Sequence, residues 1–294
     1  MANVLRSVVH PRTTAKRDRR DWRNIRMLIP ALLLLVIFFL LPVLSLLLRS
    51  VLEPTPGLQN YAQLVGSTTY LRVFGNTFLV ASVVTVATLA VGFPTAWLLA
   101  IAPRRVSALL FAILLLSMWT NLLARTFAWM VLLQGTGPIN RLLMATGLVR
   151  EPLALVNNLV GVTIGMTYIM LPFIVMPLHA TLRALDPSTL RAAAICGASR
   201  WQAFWRVLVP LALPGIASGT LMVFVMALGY FVTPALLGGA SYMMLAELIA
   251  QLVQSLLNWG LASAAALVLL TVTLGLYALQ LRLTGGARTG FGGR

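Results

Sequence analysis

Six long apolar blocks alternate with short polar interruptions along the 294-residue chain, at 27–48, 73–101, 106–133, 159–182, 211–237 and 259–281. A helix needs about twenty apolar residues to cross the hydrocarbon core of a bilayer. The pattern therefore predicts six membrane-spanning helices and an all-α fold. Proline and glycine mark the interruptions, in Glu53-Pro-Thr-Pro-Gly, Ala102-Pro-Arg-Arg, Gly135-Thr-Gly-Pro and Leu237-Gly-Gly. Gly161 and Gly165 in the fourth block, and Gly215 and Gly219 in the fifth, stand one helical turn apart. Small residues at that spacing let neighbouring backbones approach closely. This is a packing role and assigns no site.

The interruption between the fourth and fifth blocks has helix signals of its own. Asp186 is a good N-cap and Pro187 suits the first helical position. The helix they start is expected to run to Cys196 and stop at Gly197, the residue type that most readily takes the left-handed turn after a helix. Ser199 can then cap a second helix, whose Trp201, Phe204, Trp205 and Leu208 recur at three- and four-residue spacing. Pro210 and Pro214 are expected to terminate that helix. Ala192, Ala193 and Ala194 keep the first helix slim enough to lie in a groove of another protein. On these grounds alone the segment is either a docking element or a connecting hairpin. A DNA-reading helix-turn-helix is disfavoured, because spans tether both ends of the segment and keep it from a major groove.

Composition agrees with the membrane reading: 60% of residues are hydrophobic, 10% are charged, and the mean hydropathy is +0.92. A soluble domain carries about 25% charged residues. The formal charge of +16 is scattered between apolar blocks, with no basic stripe interleaved with aromatics, so no nucleic-acid partner is expected. With the N-terminus inside, the basic residues before position 27, Arg104, Arg105, Arg183, Arg191, Arg200, Arg206, Arg282, Arg288 and Arg294 all fall on the cytoplasmic side. Arg49, Arg72, Arg141 and Arg150 fall outside or at the outer boundary. The positive-inside rule then puts both termini in the cytoplasm. The first block is of span length and is not followed by an A-x-A-like cleavage site, so it reads as an uncleaved anchor.

The chemistry these residues can carry is narrow. One cysteine, Cys196, and two histidines, His10 and His179, give no intramolecular disulfide and no typical metal site. The six acids, Asp18, Asp21, Glu53, Glu151, Asp186 and Glu247, are far apart in sequence. The only lysine, Lys16, lacks the glycine loop of a P-loop ATPase. The chain is expected to be no enzyme and to hold no cofactor of its own.

Arg191-Ala-Ala-Ala-Ile-Cys-Gly-Ala-Ser and Val209-Pro-Leu-Ala-Leu-Pro-Gly resemble the EAA loop of ATP-binding-cassette (ABC) importer permeases, roughly E-A-A-x-x-x-G-A, a spacer, a proline and L-P-G. The resemblance implies the type I importer (MetI-like) fold of six spans. It also implies that the loop forms coupling helices seated in a cleft of a separate ATPase subunit, which binds ATP and Mg. Carried over, Ala192, Ala193 and Gly197 make close contacts there, with Asp186, Phe204, Pro210 and Pro214 shaping the loop. Arg191 stands where the family has glutamate, a charge reversal that calls for an adapted ATPase or a tolerant position.

Met118-Trp-Thr-Asn-Leu-Leu-Ala-Arg-Thr-Phe-Ala-Trp, Gly137-Pro-Ile-Asn and Gly229-Tyr-Phe-Val-Thr-Pro-Ala-Leu-Leu-Gly-Gly are similar to stretches of the spermidine/putrescine permease family. That likeness implies a polyamine importer in a bacterial cytoplasmic (inner) membrane, with a second permease subunit, nucleotide-binding ATPase subunits, an extracytoplasmic solute-binding protein and surrounding lipid. The implied organisation is a basic cytoplasmic segment 1–26, a permease domain 27–282 containing the coupling loop 183–213, and a cytoplasmic tail 283–294.

Arg125 is the one basic residue inside a predicted span, where insertion scales put its cost at about 2.5–3.5 kcal/mol. It lies one turn from Asn121 and one from Trp129. These three, with Tyr230, are candidates for lining the translocation path; the alternative for Arg125 is a structural pairing or snorkelling to an interface. Its charge opposes a cationic polyamine; and since a binding protein can select the solute while the permease carries only a shallow site, iron, phosphonate, sulfate or another amine-bearing solute stand as alternatives. Glu247, Gln251, Gln254 and Asn258 form a polar stripe before the sixth span, expected to face water. From another class, an ATPase-independent secondary transporter or channel is the rival. An ion-driven carrier would be expected to show intramembrane carboxylates or broken-helix ion sites, and the predicted spans offer only Glu247, near an edge.

Overall fold

The computed structural model describes residues 28–288, and every regular element in it is helical. The basic N-terminal segment, with Lys16, Asp18 and Asp21, lies outside the described residues, as do 289–294. Five helices are long and apolar enough to cross a membrane: α1, Leu28–Leu52; α3, Thr68–Ile101; α7, Leu159–Ala184; α9, Arg200–Leu228; and α12, whose spanning part is Trp259–Leu279. A bent pair supplies the sixth. Short helices fill the connections: α2, Gln59–Gly66; α6, Pro138–Ala145; α8, Pro187–Ile195; α10, Val232–Leu237; and α11, Leu245–Gln254.

Three sequence expectations need correction. The third apolar block is not one straight span. It is α4, Arg104–Leu116, ending in a 3-10 turn at Ser117–Trp119, and α5, Leu122–Leu133, after which α6 follows. The two sides of the break are bent by 101°. Thr120 is extended, and the Asn121 Oδ1 accepts the amides of Leu123 at 2.9 Å and Ala124 at 3.2 Å, restarting the helix. The fifth span ends at Leu228 rather than Leu237, because Gly229-Tyr-Phe separates it from α10.

The third correction concerns the prolines. Pro210 and Pro214 do not end a loop helix; the helix begun at Arg200 continues through both into the fifth span. Proline removes an amide donor and clashes with the carbonyl four residues back. A π-helical turn at Phe204–Leu208 precedes Pro210, with the Val209 amide reaching the Phe204 carbonyl, and this wider turn displaces the carbonyl that would clash. The same device, at Val36–Leu40, precedes Pro42 in α1.

The core is built where α3, α7 and α9 pack together. Val80, Val84, Met166, Met170, Ile174, Leu178 and Val223 are buried there. Gly92 and Gly219 admit Ile174 from two sides, and Gly215 lies against Thr181. In lipid the gain is van der Waals contact between closely approaching helices rather than removal of apolar surface from water. Thr77, Thr85 and Thr88 satisfy their hydroxyls on carbonyls one turn back in α3. A second cluster, with Leu64, Val73, Leu245, Leu248, Leu252 and Leu261, joins α2, α3, α11 and α12.

The polar stripe divides in this setting. Gln251, Gln254 and Asn258 are exposed, as expected, but Glu247 is half-buried with its Oε2 enclosed. α1 has an apolar surface on all sides and packs on α12, leaving the rest uncovered.

Candidate coupling loop and translocation path

The loop between α7 and α9 has the local structure its residues predict. The Asp186 carboxylate accepts the Ser188 amide at 2.9 Å, with Pro187 at the first turn of α8. α8 ends with the Gly197 amide on the Ala194 carbonyl and the Ala198 amide on the Ala193 carbonyl, both at 3.0 Å. This is the Schellman arrangement, which needs a left-handed residue at Gly197; its φ is +83°. Ser199 and Gln202 then form a reciprocal capping box, with bonds of 3.2 and 3.0 Å.

The two faces of the loop differ. Phe204 packs edge-on against Phe93 at 5.6 Å and lies 5.8 Å from Trp97, fixing the start of α9 to the end of α3. Away from α3, Ile195 is 87% exposed and Trp201, stacked on Phe204, is 69% exposed, and Arg191, Ala192 and Gly197 are exposed too. An apolar surface of this kind on a short, slim, firmly capped helix is available to a partner. Pro210 and Pro214 stand farther along, within α9.

The path residues meet at the two breaks. The Arg125 Nη2 donates to the Thr120 carbonyl at 3.0 Å, and its guanidinium carbon lies 5.8 Å from the centre of the Tyr168 ring. Its Nε is buried without a partner. Among the described residues the only ion pair is Arg49–Glu53, at 3.6 Å, so no carboxylate answers Arg125. Trp129 meets Tyr168 edge-on at 5.6 Å. Thr126 and Thr233 share a buried hydrogen bond of 3.3 Å, which ties α5 to α10 and holds the two breaks together. Tyr230 stands half-buried in the second break.

Arg125 and Trp129 therefore meet across Tyr168, Tyr230 stands in the break that the Thr126–Thr233 bond ties to the first, and the Asn121 carbonyl oxygen is engaged as a helix cap. The sequence reading missed Thr120 and Tyr168. Thr120 could have been found as the polar residue before a capping asparagine; Tyr168 carries no local signal. A cavity of about 670 Å³ adjoins the cluster at Thr120 and Tyr168, with Pro94, Leu98, Ser117 and Leu171 also in its lining; Asn121, Arg125, Trp129 and Tyr230 do not line it.

Comparison with known proteins agrees with this architecture. Residues 92–288 match the family described as binding-protein-dependent transport system inner membrane component. The chain is 35% identical over 222 residues to the spermidine/putrescine transport system permease protein PotB of Salmonella typhimurium, covering 76% of this chain and 77% of that one. The PotB of Escherichia coli K12 matches at the same identity, with 80% of its length covered. Among solved structures, a chain of the bacterial alginate ABC transporter, crystallised with an alginate pentasaccharide-bound periplasmic protein, superposes with a TM-score of 0.72 at 19% identity. That match covers 92% of this chain and 98% of the other. The fold is thus the type I importer permease fold, and the chain belongs to the family of inner-membrane permease components of binding-protein-dependent ABC transport systems.

Proposed function

We propose that this permease forms one side of the translocation path of an importer for polyamines such as spermidine and putrescine, with both termini in the cytoplasm. The observation that carries the solute class is the 35% identity to spermidine/putrescine permeases over three quarters of the chain. A second permease subunit completes the path, an extracytoplasmic binding protein delivers the solute, and nucleotide-binding ATPase subunits bind ATP and Mg. Within the permease domain 27–282, the loop 183–213 meets the ATPase through α8 and the turn after it, where Arg191, Ala192 and Gly197 are exposed and Ala193 is half-buried.

The continuity of α9 gives that contact a mechanical use. A helix rises 1.5 Å per residue, so the 29 residues of Arg200–Leu228 span about 43 Å. Phe204 seats the near end against α3, and the far end stops two residues before Tyr230. Displacement of α8 by ATPase closure is thereby carried to the break beside Arg125, and the lining residues Asn121, Arg125, Trp129 and Tyr230 move relative to one another. The second reading, an anionic solute such as sulfate or a phosphonate, draws on the unpaired charge of Arg125 alone.

The test is purification of the chain with its natural partners, identification of the subunits that accompany it, and ATP-driven uptake in proteoliposomes. Spermidine uptake with a co-purifying ATPase is expected. Uptake of sulfate or a phosphonate in place of spermidine would overturn the solute class, and transport without any ATPase would overturn the coupling role.

A further inference from the structure

Arg125 is half-buried and unusual among charges within a span because both of its seats are neutral. One is the Thr120 carbonyl oxygen at 3.0 Å; the other is the face of the Tyr168 ring at 5.8 Å, with Trp129 edge-on beside it. The carbonyl follows the last turn of α4 and its 3-10 extension, the end of a helix that favours positive charge. The Thr120 hydroxyl donates instead to the Ser117 carbonyl at 2.7 Å and the Ser117 hydroxyl to that of Leu114 at 2.7 Å, so the Thr120 oxygen is left to face the guanidinium.

A carbonyl oxygen and an aromatic face are what an organic ammonium requires. Arg125 fills them incompletely, since its Nε finds no acceptor. A guanidinium held by a carboxylate would resist exchange; one held by a carbonyl and a ring can be replaced by another cation at small cost. The replacement has a route, because Thr120 and Tyr168 also line the 670 Å³ cavity.

We propose that the Thr120 carbonyl and the Tyr168 ring form an organic-cation subsite at the break of the third span, and that Arg125 is its tethered occupant, displaced when an ammonium group of the solute arrives. This rests on the reading that the break faces the solute path. The charge that opposes a polyamine then becomes a resting plug. With no solute present the arginine closes the subsite; an ammonium group takes the same seats and sends the guanidinium elsewhere. Occupancy by Arg125 also lowers the apparent affinity for free cations, as any competing closed state does.

The test uses the assembled importer in proteoliposomes without ATP or binding protein, reading the passive flux of choline as a cation probe and isethionate as an anion probe. Arg125→Gln should raise choline flux roughly tenfold, the factor that about 1.4 kcal/mol gives, and leave isethionate flux unchanged. Arg125→Lys should restore the low flux. Adding Tyr168→Leu to Arg125→Gln should abolish the gain, and adding Tyr168→Phe should keep it. Equal rises for both probes mean a structural plug and overturn the proposal. So does choline flux that stays high in the Tyr168→Leu double variant, since Arg125 then acts only by repulsion.

If Arg125→Gln does not assemble, the ring alone tests the subsite. Tyr168→Leu should cut ATP-driven spermidine uptake several-fold while Tyr168→Phe retains it, and equal behaviour of the two overturns the proposal. The choline and isethionate fluxes judge the subsite independently of the solute, whereas failure of the wild-type importer to take up spermidine counts against the proposed solute class.

Discussion

Gly219 and Ile174 touch so closely that a Cβ on the glycine would lie 2.9 Å from the Ile174 Cγ1. Ile174 is fully buried, and Gly92 meets it from the α3 side with no more room. The glycine spacing of the fifth block therefore serves the three-helix core. Over-packing such a contact costs roughly 1–3 kcal/mol. Gly219→Val should lower the melting temperature of the purified complex in detergent, with Gly219→Ala lowering it less. Gly219→Ala should cost less in an Ile174→Ala background than in the wild type, because the Cγ1 that the new Cβ would meet is then gone. Additive losses in the double variant would show that the two residues do not share the contact.

The N-cap at Asp186 makes a pH-dependent prediction. Hydrogen bonds from Ser188, the hydroxyl first and the amide second, hold the carboxyl below the ordinary aspartate range. The charged form is thus favoured in the folded loop. Its contribution is fully present above the unfolded aspartate pKa and is lost as pH falls through the depressed folded value. Hydrogen-exchange protection of α8, corrected for intrinsic rates, should be flat near neutrality and decline only in acid. Asp186→Asn keeps a capping oxygen without a charge, so it should hold that protection at neutral pH and remove the acid decline. An unchanged decline in this variant would assign the pH dependence to another group.

How much of this was legible in the sequence depends on range. The apolar blocks were visible because a span is recognised by length and composition alone. Asp186, Gly197 and Ser199 were visible because each cap acts within four residues. The break at Thr120 was hidden, since only two polar residues interrupt a long hydrophobic block and hydropathy averages over them. Pro210 misled for a physical reason: proline breaks a regular α-helix, but a π-helical turn before it removes the clash, and the helix then runs on through Pro214. The seat of Arg125 on Tyr168 joins residues on different spans, and no local pattern encodes it.

Orientation can be tested with a residue the chain already carries. Cys196 is its only cysteine and is exposed at the end of α8. A membrane-impermeant maleimide should label it in inside-out vesicles stripped of ATPase and should not label it in right-side-out spheroplasts. In a Cys196→Ser background, cysteines at the exposed positions Thr136 and Ser241 should give the opposite pattern. Labelling of Cys196 from outside would invert the topology and remove the docking role with it.

The sharpest test of docking uses the turn after α8, because in the isolated permease that turn has space around it. Gly197 has φ +83°, and no atom lies within 4 Å of where its Cβ would be. A substitution there meets only the backbone penalty of the left-handed conformation within this chain, roughly 1–2 kcal/mol for most residues. Asparagine tolerates that conformation and a β-branched residue does not. Gly197→Asn should therefore hold more ATPase than Gly197→Val when the complex is pulled down, although neither touches the spans. Ala193→Trp adds bulk to the slim helix without altering the turn. It should release the ATPase while the six spans keep their melting temperature in detergent. Arg191→Glu reverses the exposed charge beside these residues: loss of ATPase means that the partner is matched to arginine, and an unchanged yield means that the small residues carry the contact. Wild-type recovery of ATPase by both Gly197→Val and Ala193→Trp would reduce the loop to a connection between two spans.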